Sequence, residues 1–138
     1  MASLESLQDE YSPNSVCFGC GPKNPQGLHL KSRPVDGRLV AEWTPGPFHM
    51  AFSNFASGGV ISVVLDCHGN WTAAYTLMKS RGLGKPPGTV TAEYIVRFLR
   101  PTPMLTPWKL EAWPTEVRGE SVRVEGKVEA DGKKRRLP

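Results

Sequence analysis

With 138 residues, 39% of them hydrophobic and 22% charged, the chain has the size and composition of one ordinary globular domain. Its formal charge is +4, but Lys133, Lys134, Arg135 and Arg136 supply four of its 17 basic residues, and the other 13 are matched by 13 acidic ones. The basicity is thus a tail rather than a stripe with interleaved aromatics, which argues against nucleic acid, and no apolar run reaches the roughly 18 residues of a membrane span.

Residues 1–15 are polar and carry Pro13-Asn14, so they are expected to form a flexible N-terminal arm or a short helical lead-in. They lack the basic region and apolar core of a signal peptide, which makes a cytoplasmic location the expectation. Cys17-Phe-Gly-Cys20-Gly-Pro follows, too rich in Gly and Pro for a long regular element. Its C-x-x-C pair admits a metal site, redox chemistry or a turn with free thiols. Structural zinc normally takes a second pair, and only Cys67 remains, beside His68. Neighbours on a helix point about 100° apart and chelate one ion poorly together. The turn with free thiols is therefore preferred, with no metal and no cofactor expected.

Leu28–Lys31 and Arg38–Trp43 alternate in polarity, and Asp36-Gly37 lies between them, the pattern of a hairpin. His49 falls in a loop after Pro45-Gly46-Pro47. Residues 56–80 form the one long helical pattern, with apolar residues at Val60, Val63, Val64, Trp71, Ala74, Tyr75, Leu77 and Met78. Ser57 is the expected N-cap and Arg81-Gly82 the stop. Strands are expected over 89–99, Trp108–Trp113 and Ser121–Ala130. One helix among antiparallel strands predicts an α+β fold with a curved sheet against the helix.

Two features of the helix carry chemistry. Ser57-Gly58-Gly59 opens it, and backbone N–H groups at a helix start are free and partly positive. Glycines there let an acyl carbonyl approach as an oxyanion. Asp66 sits in the apolar run, with Ser62 four residues before it and Asn70 four after; a buried carboxylate needs partners or a task. Seven residues separate Gly59 from Asp66, roughly 10 Å along the axis at 1.5 Å per residue. If both act on one substrate, each must come from a different subunit, which predicts self-association.

Cys17-Phe-Gly-Cys-Gly, the Gly58-Gly59-Val-Ile-x5-Asp66 helix and Thr91-Ala-Glu-Tyr-x-Val-x-Phe-x-Arg-Pro-x-Pro103 together resemble the hotdog-fold acyl-CoA thioesterases of the phenylacetate-pathway type. The likeness covers about residues 16–130. It implies a single hotdog domain over 16–132, a curved antiparallel sheet wrapped around one central helix, followed by the basic tail 133–138. It further implies hydrolysis of a fatty or aromatic acyl-CoA and a homodimer or homotetramer, with no nucleic acid or membrane as partner. Carried over by position, the Gly59 amide polarises the thioester carbonyl, with Gly58 and Ser57 beside it, and Asp66 is base or nucleophile. Asn70 and Thr72 are placed to orient substrate or water, and Arg97 and Arg100 to meet coenzyme A phosphates. The histidine common in that family before the two glycines is Ser57 here, so His49 or His68 is left to reach in, and a non-catalytic acyl-CoA-binding protein is the alternative. A last apolar strand after Asp131-Gly132 is replaced by Lys133–Pro138, from which an exposed sheet edge is expected.

Overall fold

The computed structural model describes residues 5–130; the Asp131-Gly132 turn signal and the basic tail lie outside them. Alternation over Arg38–Trp43 produces the strand the sequence predicts, but its hairpin partner is not Leu28–Lys31. The first strand, β1, is Arg33–Val35, and β2 is Arg38–Trp43. Asp36 and Gly37 take φ of 51° and 81°, the left-handed pair that a two-residue hairpin turn requires. Leu28 and Leu30 are buried instead as core residues of an irregular segment, with His29 between them at φ 56°.

Two short strands that the sequence does not announce, β3 (Met50–Phe52) and β4 (Phe55–Ala56), pair in a small sheet just ahead of the long helix. The flexible arm expected over residues 1–15 is docked where it is described. Helix α1 (Leu7–Tyr11) is capped by Ser6 and buries Ser6, Leu7 and Gln8. Gln8 holds Ser32 through its amide at both ends, at 3.0 and 2.7 Å.

Helix α2 runs from Gly58 to Ser80 with Ser57 as N-cap, as the apolar spacing predicts. Two long strands follow, β5 (Trp108–Arg118) and β6 (Ser121–Ala130), joined at Gly119. They complete an antiparallel sheet of order β1-β2-β5-β6, against which α2 packs, mainly on β5 and β6. Leu30, Leu39, Val64, Trp108 and Leu110 form the fully buried centre, and Trp43 meets Trp108 with ring centroids 5.2 Å apart.

The predicted strand over 89–99 is a correction. Its residues enter no ladder, because among the described residues β6 ends the sheet and no strand pairs with the segment. It runs back along α2 instead, from Asn70 to Gly58, held by side chains. Thr89 and Asn70 bond each other, Tyr94 donates to the Ser62 carbonyl at 3.0 Å, and Phe98 lies over Gly58. Val90 and Leu99 are left about nine-tenths exposed.

Candidate functional site

The start of α2 opens onto an apolar cleft of about 370 Å³ walled by Phe52, Phe55, Gly58, Ile61, Phe98 and Leu99, with Arg100 at its edge. Ser57 is bound by its own N–H to the His49 carbonyl. Its Oγ accepts the Gly59 N–H at 3.2 Å, the ordinary N-cap bond. The amide that the sequence nominates for an oxyanion is therefore occupied by Ser57, and a substrate oxygen must displace that hydroxyl. Ser57→Ala should free the Gly59 N–H and lower stability by about 1 kcal/mol. Urea unfolding reads the loss, and acyl-CoA turnover reads whether the freed amide is used.

Asp66 is half-buried on the face of α2 under segment 89–99, where Thr91 Oγ1 donates to its Oδ1 at 2.6 Å. It makes no ion pair among the described residues, whereas Asp9 and Glu111 are paired with Lys31 and Arg38. Tyr94 lies close by. Burial, then the Asp66 charge, raises its phenol above the usual range, so it stays protonated.

One turn beyond, Asn70 donates to the Thr89 carbonyl at 3.2 Å and lines a second cleft of about 290 Å³ with Gln8, Tyr11, Cys17, Cys20 and Trp71. Thr72 is in neither cleft. It is 1% exposed and its hydroxyl is spent on the His68 carbonyl at 2.8 Å, so its place is in the core. Arg97 and Arg100 are exposed and unpaired among the described residues.

Neither histidine left to reach in does so. His49 turns its Nδ1 to the Gly46 N–H at 2.9 Å and its ring against Trp43. His68 is fully buried on the sheet-facing stripe of α2, with Ser32 Oγ at 2.8 Å from Nδ1 and the Leu39 carbonyl accepting from Nε2 at 2.8 Å. Burial pulls its pKa down to about 4 from 6.5. Below pH 6.5 the unfolded chain binds a proton that the folded chain refuses, so stability falls as pH drops from 6.5 towards 4. From pH 7 to pH 5 the loss should be about 2 kcal/mol, seen as a lower urea midpoint and absent in His68→Gln.

A feature the sequence reading set aside lies on the other flank of Asp66. Cys17, Cys20 and Cys67 come together with their sulfurs all within 4.8 Å of one another, all as free thiols. Hydrogen bonds, first from Cys67 and also from Cys17 and Trp71, hold the Cys20 thiol below its usual range against the opposing effect of burial. The same Cys20 bond holds the Cys67 proton in place. Cys67 joins the pair without His68, because the turn itself comes down onto α2.

No family model and no curated protein matches the chain. Among solved structures, it is similar to a thioesterase superfamily protein from Shewanella loihica PV-4, with 33% identity over 88% of this chain and 86% of that one and a TM-score of 0.68. It shares the fold of a second thioesterase superfamily protein, 22% identical over 83% of this chain and 55% of that one, with a TM-score of 0.70. A phenylacetic acid degradation-related protein from Ralstonia eutropha JMP134 has the same fold at 23% identity, over 77% of each chain, with a TM-score of 0.61. A long helix on a curved antiparallel sheet, with these likenesses, defines a hotdog domain. The chain belongs to the thioesterase superfamily.

Proposed function

We propose that the protein is an acyl-CoA thioesterase whose reaction uses Asp66 and the start of α2. The observation that carries this reading is Asp66 itself, a half-buried helix carboxylate with one hydroxyl partner, Thr91, and no cation among the described residues. Thr91 occupies Oδ1 and fixes the carboxylate, which leaves Oδ2 for a water or an acyl carbon. As base, Asp66 takes a proton from water as the water oxygen attacks the thioester carbonyl. The carbonyl electrons move onto oxygen, where the Gly59 N–H receives them in place of Ser57 Oγ. Their return breaks the C–S bond, and coenzyme A leaves as the thiol, its sulfur taking the proton that Asp66 removed from water. As nucleophile, Asp66 would instead attack the carbonyl and expel the coenzyme A thiolate, forming an anhydride that water opens, the proton released from that water going to the thiolate.

The cleft at Gly58 suits a fatty or aromatic acyl group, since Phe52, Phe55, Ile61 and Phe98 line it. Exposed Arg97 and Arg100 are the proposed contacts to the phosphates of coenzyme A, for which a forked guanidinium is the suited donor. Gly59 and Asp66, roughly 10 Å apart on one helix, serve one reaction centre only if a second copy supplies one of them. Exposed Val90, Ile95 and Leu99 on segment 89–99 give such a copy an apolar surface to cover. The test is hydrolysis of an acyl-CoA panel ranging from short to long and to aromatic acyl groups, with Asp66→Asn as control.

The Ser57 Oγ bond to the Gly59 amide favours one other reading, a protein that binds acyl-CoA without cleaving it. Saturable binding in calorimetry with no turnover would decide for it.

A further inference from the structure

We propose that Cys17, Cys20 and Cys67 form a binding site for a thiophilic divalent cation of the zinc class, with three thiolate ligands and a fourth position open toward solvent. The site is independent of the thioester chemistry. It uses the C-x-x-C turn that the hydrolytic reading leaves without a role.

The convergence is built by the backbone. The turn is pinned to the segment after it by Leu28 N–H to the Phe18 carbonyl at 2.8 Å and Leu30 N–H to the Gly19 carbonyl at 3.0 Å. Within it, Gly21 N–H returns to the Cys17 carbonyl at 2.8 Å. Gly19, between the two cysteines, lies directly over α2. A Cβ there would sit 2.3 Å from Cys67 Sγ and 2.8 Å from Val63 Cγ1, so only glycine lets the turn close this far onto the helix. The result brings a third sulfur from α2 to the two on the turn.

The spacing suits a tetrahedral ion. Zinc binds thiolate at about 2.3 Å, which at tetrahedral angles sets ligand sulfurs about 3.8 Å apart. Cys17 and Cys67 sulfurs stand 3.8 Å apart and the whole set lies within 4.8 Å. Covalent pairing needs about 2.05 Å and an external oxidant. His68 is not a ligand, since both its ring nitrogens are engaged in the core. The fourth position falls to water or an outside donor, because Cys17 is exposed and lines the cleft that also holds Lys85. Three thiolates around a divalent cation leave one net negative charge, and Lys31 is the cation whose charge reaches Cys20. A bound ion would tie the turn to the middle of α2, next to Asp66 in the chain.

The test uses the full chain, reduced and stripped of metal, titrated with Zn²⁺ against a chromogenic chelator and with Co²⁺ as an optical probe. One equivalent of each ion is expected, with a thiolate-to-cobalt charge-transfer band and tetrahedral visible bands. Cys17→Ser, at an exposed position, should keep its circular dichroism and lose at least ~10-fold in affinity. Gly19→Ala keeps all three thiols and should weaken binding similarly by pushing Cys67 away. Three titratable thiols with no ion taken up, or uptake that Cys17→Ser and Gly19→Ala leave unchanged, would overturn the proposal. So would a rapid Cys17–Cys67 or Cys20–Cys67 disulfide in air that Zn²⁺ does not prevent, since that would make the cluster a redox pair.

Discussion

Asp66→Asn should lower acyl-CoA hydrolysis by at least ~10²-fold and leave the fold intact. A positioned base or nucleophile is worth about 10² to 10⁴ in rate, and the substitution removes only that. Asparagine has the same shape, and its carbonyl oxygen can still accept from Thr91 Oγ1, which now holds Asp66 at 2.6 Å. With no cation paired to Asp66 among the described residues, loss of the charge strands no ion-pair partner. The defect belongs in kcat rather than KM, because substrate contacts at the cleft of Phe52 and Phe98 are untouched. Turnover is best followed through the thioester absorbance, since thiol reagents would also report exposed Cys17. Undiminished hydrolysis would sink the role of Asp66. Equal loss in kcat and circular dichroism would make it structural.

The parts of the fold written in local pattern were legible. Helical spacing and a serine cap located α2 within two residues at each end, and alternation located β2, β5 and β6. What failed depends on partners distant in the chain. Residues 89–99 have the β-branched and aromatic content of a strand, but composition supplies no neighbour, and none pairs with them among the described residues. β-propensity reports fitness for a pleated surface, not the presence of one. Leu28 and Leu30 alternate because both enter the core, which a strand and an irregular segment achieve equally well.

The site divides along the same line. The proposed roles of Gly59 and Asp66 start from helix positions that are anomalous in the sequence by themselves. Thr72 and His68 go to the core because the stripe of α2 facing the sheet is partly polar. That is tolerable only where Ser32, the Leu39 carbonyl and the helix's own carbonyls satisfy it. The Ser57 bond to the Gly59 amide follows from N-cap chemistry, and bears directly on the oxyanion role. The cysteine triad needed a contact across 50 residues, from Cys17 to Cys67, which spacing alone does not announce.

Mixing two inactive variants should restore activity if the centre is shared between copies. Gly59→Pro removes the N–H that would hold the oxyanion, and the first turn of a helix accepts proline. Gly59 is exposed, and the proline ring takes the place of its N–H, so Ser57 Oγ, now 3.2 Å from that nitrogen, must turn to another rotamer and the cap bond is lost with the donor. Alone, Gly59→Pro should lose about 10²-fold or more, as should Asp66→Asn. In a mixed dimer one centre receives both defects, and the other joins an intact Gly59 to an intact Asp66. After unfolding and refolding an equal mixture, half the dimers are mixed, and about a quarter of the wild-type activity should return. Two groups acting within one copy would give no recovery at any ratio, since each chain carries a broken centre. Recovery requires the helices of two copies to exchange their half-sites, which the roughly 10 Å between Gly59 and Asp66 demands. Its absence, with dimers verified by light scattering, would remove either the Gly59 amide or Asp66 from the reaction.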